Sequence, residues 1–497
     1  MNESATFLVD DTDAPALHNA VSHIARVGYC EAKVCERLGV SDITDLQWRA
    51  LPIYREERLA VRDTVASAID LFLLQGMIPM DELNRLCGKD DQEVLIRTGI
   101  LSIDEKGLAQ ARASLFPIGN RLIFSDHAWP KLSHPGYSDV PYDQVMFIGT
   151  DSRWLARATV RRSVGSTLDL CTGSGVQALL AATHSQRVLA VDINPRAARC
   201  TRFNAHASGV TNVRVLVGDL YEPVGQERFD LITANPPFVP SPVDALQFRD
   251  GGCSGEEVQR RIIAGLPNHL APGGIAQIVT ELGEREDEPL SDRLREWLGG
   301  APMDIHILRL REHSAASYAI GHANGDDTYD AFFSSVHAWA NNLRTQGYSR
   351  VVSVLLAFQW SDPKLGLPWT RSEEAQPPNT DCGAEVETTF LAERMACKPD
   401  LYEILEYSKV RRTGPIGLME ARVLGNPLYA NTQAKLLGKA LSISQLLEPV
   451  ERDVLTLIEK PLSLPELFVL SDGLNLNKKA VLAAVRSLLR RGLVLLT

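Results

Sequence analysis

Between Thr167 and Thr280 the chain alternates short apolar runs with stretches of helical spacing, and this alternation constrains the fold more than any other feature. The runs are 167–170, RVLAV at 187–191, VRVLV at 213–217, FDLITA at 229–234 and IAQIVT at 275–280. Between them lie helical stretches at 176–184, 195–207 and 256–270. Strands this short and this continuously apolar are buried on both faces, and a helix after each is the pattern of βαβ crossovers. The prediction is an α/β unit with a doubly wound, mainly parallel sheet. The series continues through DIHILRL at 304–310, a helix near 329–346 and the apolar strand VVSVLLAF at 351–358.

The alternation uses less than half of the 497 residues. Residues 14–115 read mainly as helices. Leu59–Leu74 is apolar at helical spacing, Gly76 and Pro79 stop it, MDELNRLCG forms a short helix, and a hairpin turns at Lys106-Gly107. This order predicts a helical, winged-helix-like N-terminal domain over 1–125, followed by the α/β domain at 126–360. Residues 361–430 are rich in Pro, Gly, Thr and acidic residues without a period, and read as a loop or linker segment. Helices return from Val450, and NKKAVLAAVRSLLRRG leads into a terminal LVLLT strand. A second winged-helix-like domain is therefore expected at 431–497.

Composition excludes several classes of function. A net charge of −11, from 51 basic and 62 acidic side chains, is wrong for a protein that coats nucleic acid by bulk electrostatics. The longest uncharged apolar run, Val351–Phe358, is far short of the roughly 20 residues a bilayer span requires. The N-terminal MNESATFLVDDTD lacks the basic-then-apolar order of a secretory signal. Eight cysteines are scattered without a C-x-x-C pair or metal-ligand spacing, as expected of reduced thiols in a cytoplasmic, metal-free protein.

Four strand ends carry the chemistry. DLCTGSG at 169–175 follows a strand and precedes a helix, and Gly173 and Gly175 allow a tight turn and close backbone approach to a ligand. No Gly-Lys-Ser/Thr follows, which excludes a Walker A loop. Asp192 ends the next strand, where an acid can accept hydrogen bonds from ribose hydroxyls, and Asp219 ends the third, within reach of an adenine edge. Singly, each acid reads more readily as a solvated turn residue. In sequence, they fall where open α/β sheets bind ligands, at the carboxyl ends of the strands. Asn235-Pro236-Pro237-Phe238 closes the fourth strand. The Asn235 side-chain carbonyl and the Pro236 backbone carbonyl can together accept both hydrogens of a planar NH₂ group, on which Phe238 can stack.

With these residues in place the sequence resembles the class I S-adenosylmethionine-dependent methyltransferases that carry an N/D-P-P-F/Y motif. It is most similar to the lineage of protein-glutamine N5 methyltransferases that modify peptide release factors. The resemblance spans about 140–282 and rests on DLCTGSG, VDINPRAARCTRFNAHASG, VRVLVGDLYEPVGQERFDLITANPPFVP and RDGGCSGEEVQRRIIAGLPNHLAPGG. The last block matches a helix-entry pattern at Asp250, Gly251, Gly252, Gly255, Arg260 and Ile262. FRDGG is shared with long, three-part methyltransferases. The resemblance implies a seven-stranded Rossmann-like core with S-adenosyl-L-methionine as cofactor. Asp169, Gly173 and Gly175 would line its methionine part, Asp192 would bind its ribose and Asp219 with Leu220 its adenine, with Cys171, Ile193 and Asn235 also among the cofactor-binding residues. Asn235, Pro236 and Phe238 would hold the acceptor, and Asp151 lies where the lineage closes over the cofactor. Cys171 stands where the family's pattern has its first glycine, and Phe238 where the glutamine-modifying enzymes have Tyr.

The expected function is N-methylation of a planar amide or amine nitrogen in a protein or peptide. An exocyclic amine of ribosomal or transfer RNA is the alternative. Residues 431–497 carry nine Lys/Arg against six Asp/Glu, and Lys478, Lys479, Arg486, Arg490 and Arg491 crowd one helix. A tailoring enzyme for a small metabolite or modified peptide is a third reading, and a DNA-binding regulator with a degenerate core a fourth. Winged helices serve dimerisation as readily as peptide contacts, so a homodimer is compatible with all of them.

Overall fold

The computed structural model describes residues 5–10, 12–127, 140–243, 245–323, 328–423, 426–441 and 443–497. Residues 1–4 and 11 of the N-terminal stretch read above lie outside them. The predicted alternation forms one sheet. Its elements are α1 (Thr150–Ala158), β1 (Val164–Leu170), α2 (Val176–Ala181), β2 (Ser185–Asp192), α3 (Pro195–Ala207), β3 (Val213–Val217) and β4 (Phe229–Ala234). They continue with α4 (Glu257–His269), β5 (Leu270–Glu284), α5 (Leu290–Trp297), β6 (Met303–Ser314), α6 (Ala315–His322), α7 (Tyr329–Thr345), β7 (Arg350–Trp360) and β8 (Thr370–Glu374). The strand order is 3-2-1-4-5-7-6-8. Neighbouring strands from β3 to β5 pair in parallel, whereas β7 runs antiparallel between β5 and β6. Leu168, Leu170, Phe229, Ile232, Ile278, Ile305 and Val354 bury the centre.

The sheet has eight strands, one more than the seven expected. The eighth, TRSEE, lies along β6 in parallel, from Ile305↔Thr370 to Arg309↔Glu374. Every residue of β8 is half-buried or exposed, so it carries no apolar signal. Its backbone covers donors and acceptors that would otherwise form a bare sheet edge.

That strand also corrects the reading of 361–430 as loop. The segment holds β8, helices at Gly383–Ala396 and Leu401–Tyr407, and strands at Lys409–Arg412 and Ile416–Val423. The 409–412 strand joins a sheet with Leu462–Ser463 and Val494–Leu496, so the C-terminal unit draws on residues well before 431. Leu401, Leu405 and Val410 pack with Val454, Leu467, Val485 and Leu488 in one core. Phe390 of the 383–396 helix meets Trp369 and His306 at ring separations of 5.1 and 6.3 Å. A linker composition thus conceals helices whose apolar residues face two neighbours at once.

The N-terminal region is fused to the α/β core. Helix Thr64–Phe72, capped by Asp63, precedes strand Met77–Pro79, helices Met80–Leu86 and Lys89–Arg97, and strands Leu101–Ile103 and Leu108–Ala111. A second hairpin, Ser114–Ile118 with Arg121–Ser125, reaches α3. There the Asn204 amide exchanges hydrogen bonds of 2.8 and 2.7 Å with the backbone of Phe124, while Phe203 packs edge-on against Phe7 and Phe124. A buried Arg196–Asp126 ion pair ties the two regions. Among the described residues no helix is long and apolar enough to cross a membrane.

Candidate active site

The carboxyl ends of β1, β2, β3 and β4 open into a cleft of about 1040 Å³, its solvent-open mouth included. Cys171, Gly173, Asp192, Ile193, Asp219, Leu220, Asn235 and Pro237 line it. Asp169, Gly175, Pro236 and Phe238 do not.

Asp169 is buried at the end of β1 and shapes the turn from beneath. One carboxylate oxygen accepts from Thr172 Oγ1 (2.6 Å) and the Ala178 amide (3.2 Å), and the other from Thr233 Oγ1 (2.8 Å). Burial outweighs these bonds and pushes its pKa up to about 6. Gly175 has a φ of 82°, and a Cβ there would lie 2.7 Å from Thr201 Cγ2, so both conformation and the close approach of α3 require glycine. Cys171 also takes a positive φ, of 55°. Cys171 therefore takes a left-handed turn at the position where the family's pattern has its first glycine. For a side-chain-bearing residue that conformation costs roughly 1 kcal/mol. Burial and the carboxylates of Asp192 and Asp169 push its thiol pKa well up.

Asp192 faces the cleft with both oxygens engaged by backbone, from Gly173 N (2.8 Å) and Asn194 N (2.9 Å). Burial raises its pKa against these two bonds. A carboxylate has about four lone-pair sites, so accepting capacity remains on the cleft side. Ile193 is 53% exposed beside it, and a Cβ placed on Gly173 would meet nothing within 4 Å. Asp219 accepts 2.7 Å from Arg261 Nη2. The sequence pattern points to Arg260, which is exposed; its neighbour Arg261 is the residue that reaches the cleft.

At the end of β4, Asn235 donates through Nδ2 to Asp151 Oδ2 (2.8 Å) and Ser152 Oγ (3.0 Å). Its Oδ1 is buried with no partner among the described residues. Asp151 does not line the cleft; it sits behind Asn235, half-buried, and desolvation raises its pKa against the Asn235 bond. Pro236 is buried. Phe238 packs beside Val239, Tyr318 and Trp339, so α6 and α7 support the loop after β4 from outside.

The Asp-Gly-Gly block holds that loop. Val239 N donates to Arg249 O (3.0 Å) and Gly251 N to Val239 O (3.0 Å). A Cβ on Gly251 would lie 2.8 Å from Pro237 O, and one on Gly255, whose φ is 72°, would lie 2.5 Å from Phe238 O. Asp250 accepts the amides of Ala245 (2.8 Å) and Leu246 (2.9 Å), closing the loop that brings Gln247 and Phe248 to the cleft. Gln144, Met146 and Phe147 line another wall. Sequence reasoning missed all five, because both segments are irregular and carry no period.

The basic C-terminal helix is largely engaged within its own surroundings. Arg486 donates to Ala396 O (2.8 Å), Arg490 pairs with Glu393 (2.9 Å), and Arg491 donates to Leu446 O. Lys478 lies over the Phe468 ring at 5.4 Å. No two cysteines are joined, and among the described residues no cluster of three or more His, Cys, Asp or Glu is arranged to hold a metal ion.

The strand order, with one antiparallel strand beside the parallel set, and the four strand-end motifs together define a class I methyltransferase fold. The family model "Methyltransferase small domain" matches residues 148–298. A ribosomal protein uL3 glutamine methyltransferase of Bradyrhizobium diazoefficiens is 39% identical over 153 residues, 27% of this chain and 47% of the relative. A Methanocaldococcus jannaschii protein, named provisionally as a protein N5-glutamine methyltransferase, is 34% identical over 145 residues, 27% of this chain and 73% of the relative. A tRNA1(Val) (adenine(37)-N6)-methyltransferase of Porphyromonas gingivalis is 32% identical over 156 residues, 29% of this chain and 61% of the relative. The chain belongs to the class I S-adenosylmethionine-dependent methyltransferases, in the lineage of the protein-glutamine N5 methyltransferases. It spans about half the length of the uL3 relative.

Proposed function

We propose that the chain is an N-methyltransferase that uses S-adenosylmethionine to methylate a planar amide nitrogen of a polypeptide, a glutamine side chain being the best fit. One observation carries the reading: Asn235 presents a buried, unpartnered carbonyl oxygen while its NH₂ is occupied by Asp151 and Ser152. The residues at the other strand ends fit the cofactor. Asp192 retains accepting capacity for two ribose hydroxyls, Ile193 and Leu220 offer apolar contact to a flat base, and Gly173 leaves the cleft open at the turn. Asp169 acts through the turn by fixing Thr172 and the first turn of α2.

When bound, S-adenosylmethionine supplies a sulfonium methyl that needs no further activation. The protein's task is the nucleophile. An amide nitrogen is poor because its lone pair is delocalised, so holding it about 3 Å from the methyl and in line with the leaving sulfur is the main contribution available. Asn235 Oδ1, on the cleft lining, accepts a hydrogen of the acceptor amide and stabilises the positive charge that develops on nitrogen, whose proton then leaves to water; the Pro236 carbonyl, which lies off the lining, would reach the second hydrogen only with a shift of the loop. Phe238, braced by α6 and α7, closes the acceptor side.

The flanking regions support winged-helix readings in element order. Helix, strand, two helices and a hairpin occupy 64–111, and helix, strand, two helices and a strand occupy 449–496. We assign them to acceptor recognition in a cytoplasmic setting, with dimerisation as the other use. A nucleobase amine is the second reading, favoured by Phe238 and by the name of the Porphyromonas relative. The engagement of Arg486, Arg490 and Arg491 within the protein argues against it.

The test is incubation of fractionated lysate with methyl-labelled S-adenosylmethionine. Label in protein supports the proposal, and label confined to RNA, with a steep loss of affinity as salt rises, overturns it in favour of the second reading. Asn235→Ala is expected to bind the cofactor and lose turnover; turnover at the wild-type rate would remove the acceptor role of Asn235.

A further inference from the structure

We infer that Asp151 and Ser152 are a positioning pair that locks the side-chain amide of Asn235 in one of its two flip states, so that the site favours an acceptor group that donates a hydrogen bond, as an amide NH₂ does. The inference rests on the reading of Asn235 above and deepens it. A side-chain amide has a donor face and an acceptor face, and rotation by half a turn exchanges them. Left free in the cleft, Asn235 would present its NH₂ as readily as its carbonyl, and half of its orientations would repel an acceptor NH₂ group. A carboxylate only accepts. With Asp151 Oδ2 at 2.8 Å from Asn235 Nδ2 and Ser152 Oγ at 3.0 Å, the flipped state would set the amide oxygen against a carboxylate oxygen. The lock leaves Oδ1 as the buried, unpartnered atom.

The pair is built into the fold. Both residues lie in the first turn of α1, and Gly149 before them gives the Asp151 carboxylate its room, since a Cβ there would lie 2.6 Å from Oδ1. The Ser152 carbonyl accepts from Gln177 Nε2 at 2.8 Å, which fastens the start of α1 to α2, the helix that leaves the glycine turn. The acceptor amide and the cofactor turn are thereby held to one short element that precedes the first strand. Asp151 lies off the cleft and acts through Asn235; Ser152 also lines the cleft, and its part in the lock is the bond to Asn235 Nδ2.

Two measurements on the full chain test it. The first needs no acceptor: hydrogen exchange of the Asn235 side-chain NH₂, identified in ¹⁵N spectra by its absence from Asn235→Ala. Slow exchange in the wild type and at least tenfold faster exchange in Asp151→Asn support the lock; equal rates in the two proteins overturn it. The second uses uL3 and release-factor preparations as acceptor probes with labelled S-adenosylmethionine. The expected split is a kcat lower by about tenfold in Asp151→Asn and by a few-fold in Ser152→Ala, with cofactor Kd unchanged. A kcat within twofold of wild type in Asp151→Asn, while Asn235→Ala is inactive, overturns the lock and leaves the proposed function standing. An Asn235→Ala that is fully active removes the acceptor role of Asn235, and the exchange measurement still decides the lock.

Discussion

The two halves of the cleft are built by different means. On the half proposed to hold the cofactor, over β1 to β3, most of the bonds run within or between neighbouring motifs: Asp169 to Thr172, and Asp192 to Asn194 and Gly173. On the half proposed to take the acceptor, Asn235 is set by residues 84 and 83 positions earlier, and its loop is clasped by 249–255 and braced by helices after β6. The first half is built largely from local turns, with Thr233 and Arg261 reaching in from further along the chain; the setting of Asn235 in the second exists only once distant segments have met. Damage should accordingly remain local on the first half and spread on the second.

Asn235→Ala should give the largest effect, a fall in kcat of about 10²–10³, or roughly 3–4 kcal/mol, by analogy with loss of one transition-state hydrogen-bond partner. Isothermal titration with S-adenosylmethionine should show unchanged affinity. Linked loss of cofactor binding would break the distinction between the halves.

Asp169 makes a prediction on stability. Its carboxyl is raised from the ordinary 3.8 to about 6, so the folded chain favours the protonated form. Its contribution is therefore full below about pH 4 and declines as pH rises through about 6, by roughly 2–3 kcal/mol at most. Urea denaturation at pH steps across this window should show that slope, and Asp169→Asn should flatten it.

Gly255→Ala should cost about 2 kcal/mol through its positive φ and its approach to Phe238 O. The loss should appear in kcat and acceptor KM, with cofactor Kd retained, although residue 255 is twenty positions from Asn235. Asp192→Asn should give the smallest effect, about a tenfold weaker Kd for S-adenosylmethionine, equivalent to about 1.4 kcal/mol, with kcat at saturation near wild type.

The same contrast explains what could be read in advance. Asp192 and Asp219 were legible because a strand end followed by an acid is a local pattern, and the continuous apolar runs of β1 to β5 fixed the parallel sheet. Strand β8 was invisible because an edge strand with no buried residue has no hydrophobic signature. The 383–396 helix was lost in a stretch of mixed composition because it packs against two domains and has no single apolar face. Arg261, Gln144, Phe248 and the Asp151 contact could not be found by periodicity, since each is placed by where a loop or helix end happens to land.

The sequence by itself determined the α/β core, the chain of strand-end motifs and the family, because these depend on residue type at short spacing. Only the tertiary structure decided which motif residues face the cleft and which support it from behind. Asp169 and Asp192 look alike along the chain, yet one is buried among hydroxyls and the other borders the cleft. Asn235 offers two faces, and the choice between them is made by a carboxylate from a helix that precedes the sheet. Hydrogen-bond direction in a buried site is set by the partner, and the partner is a matter of folding.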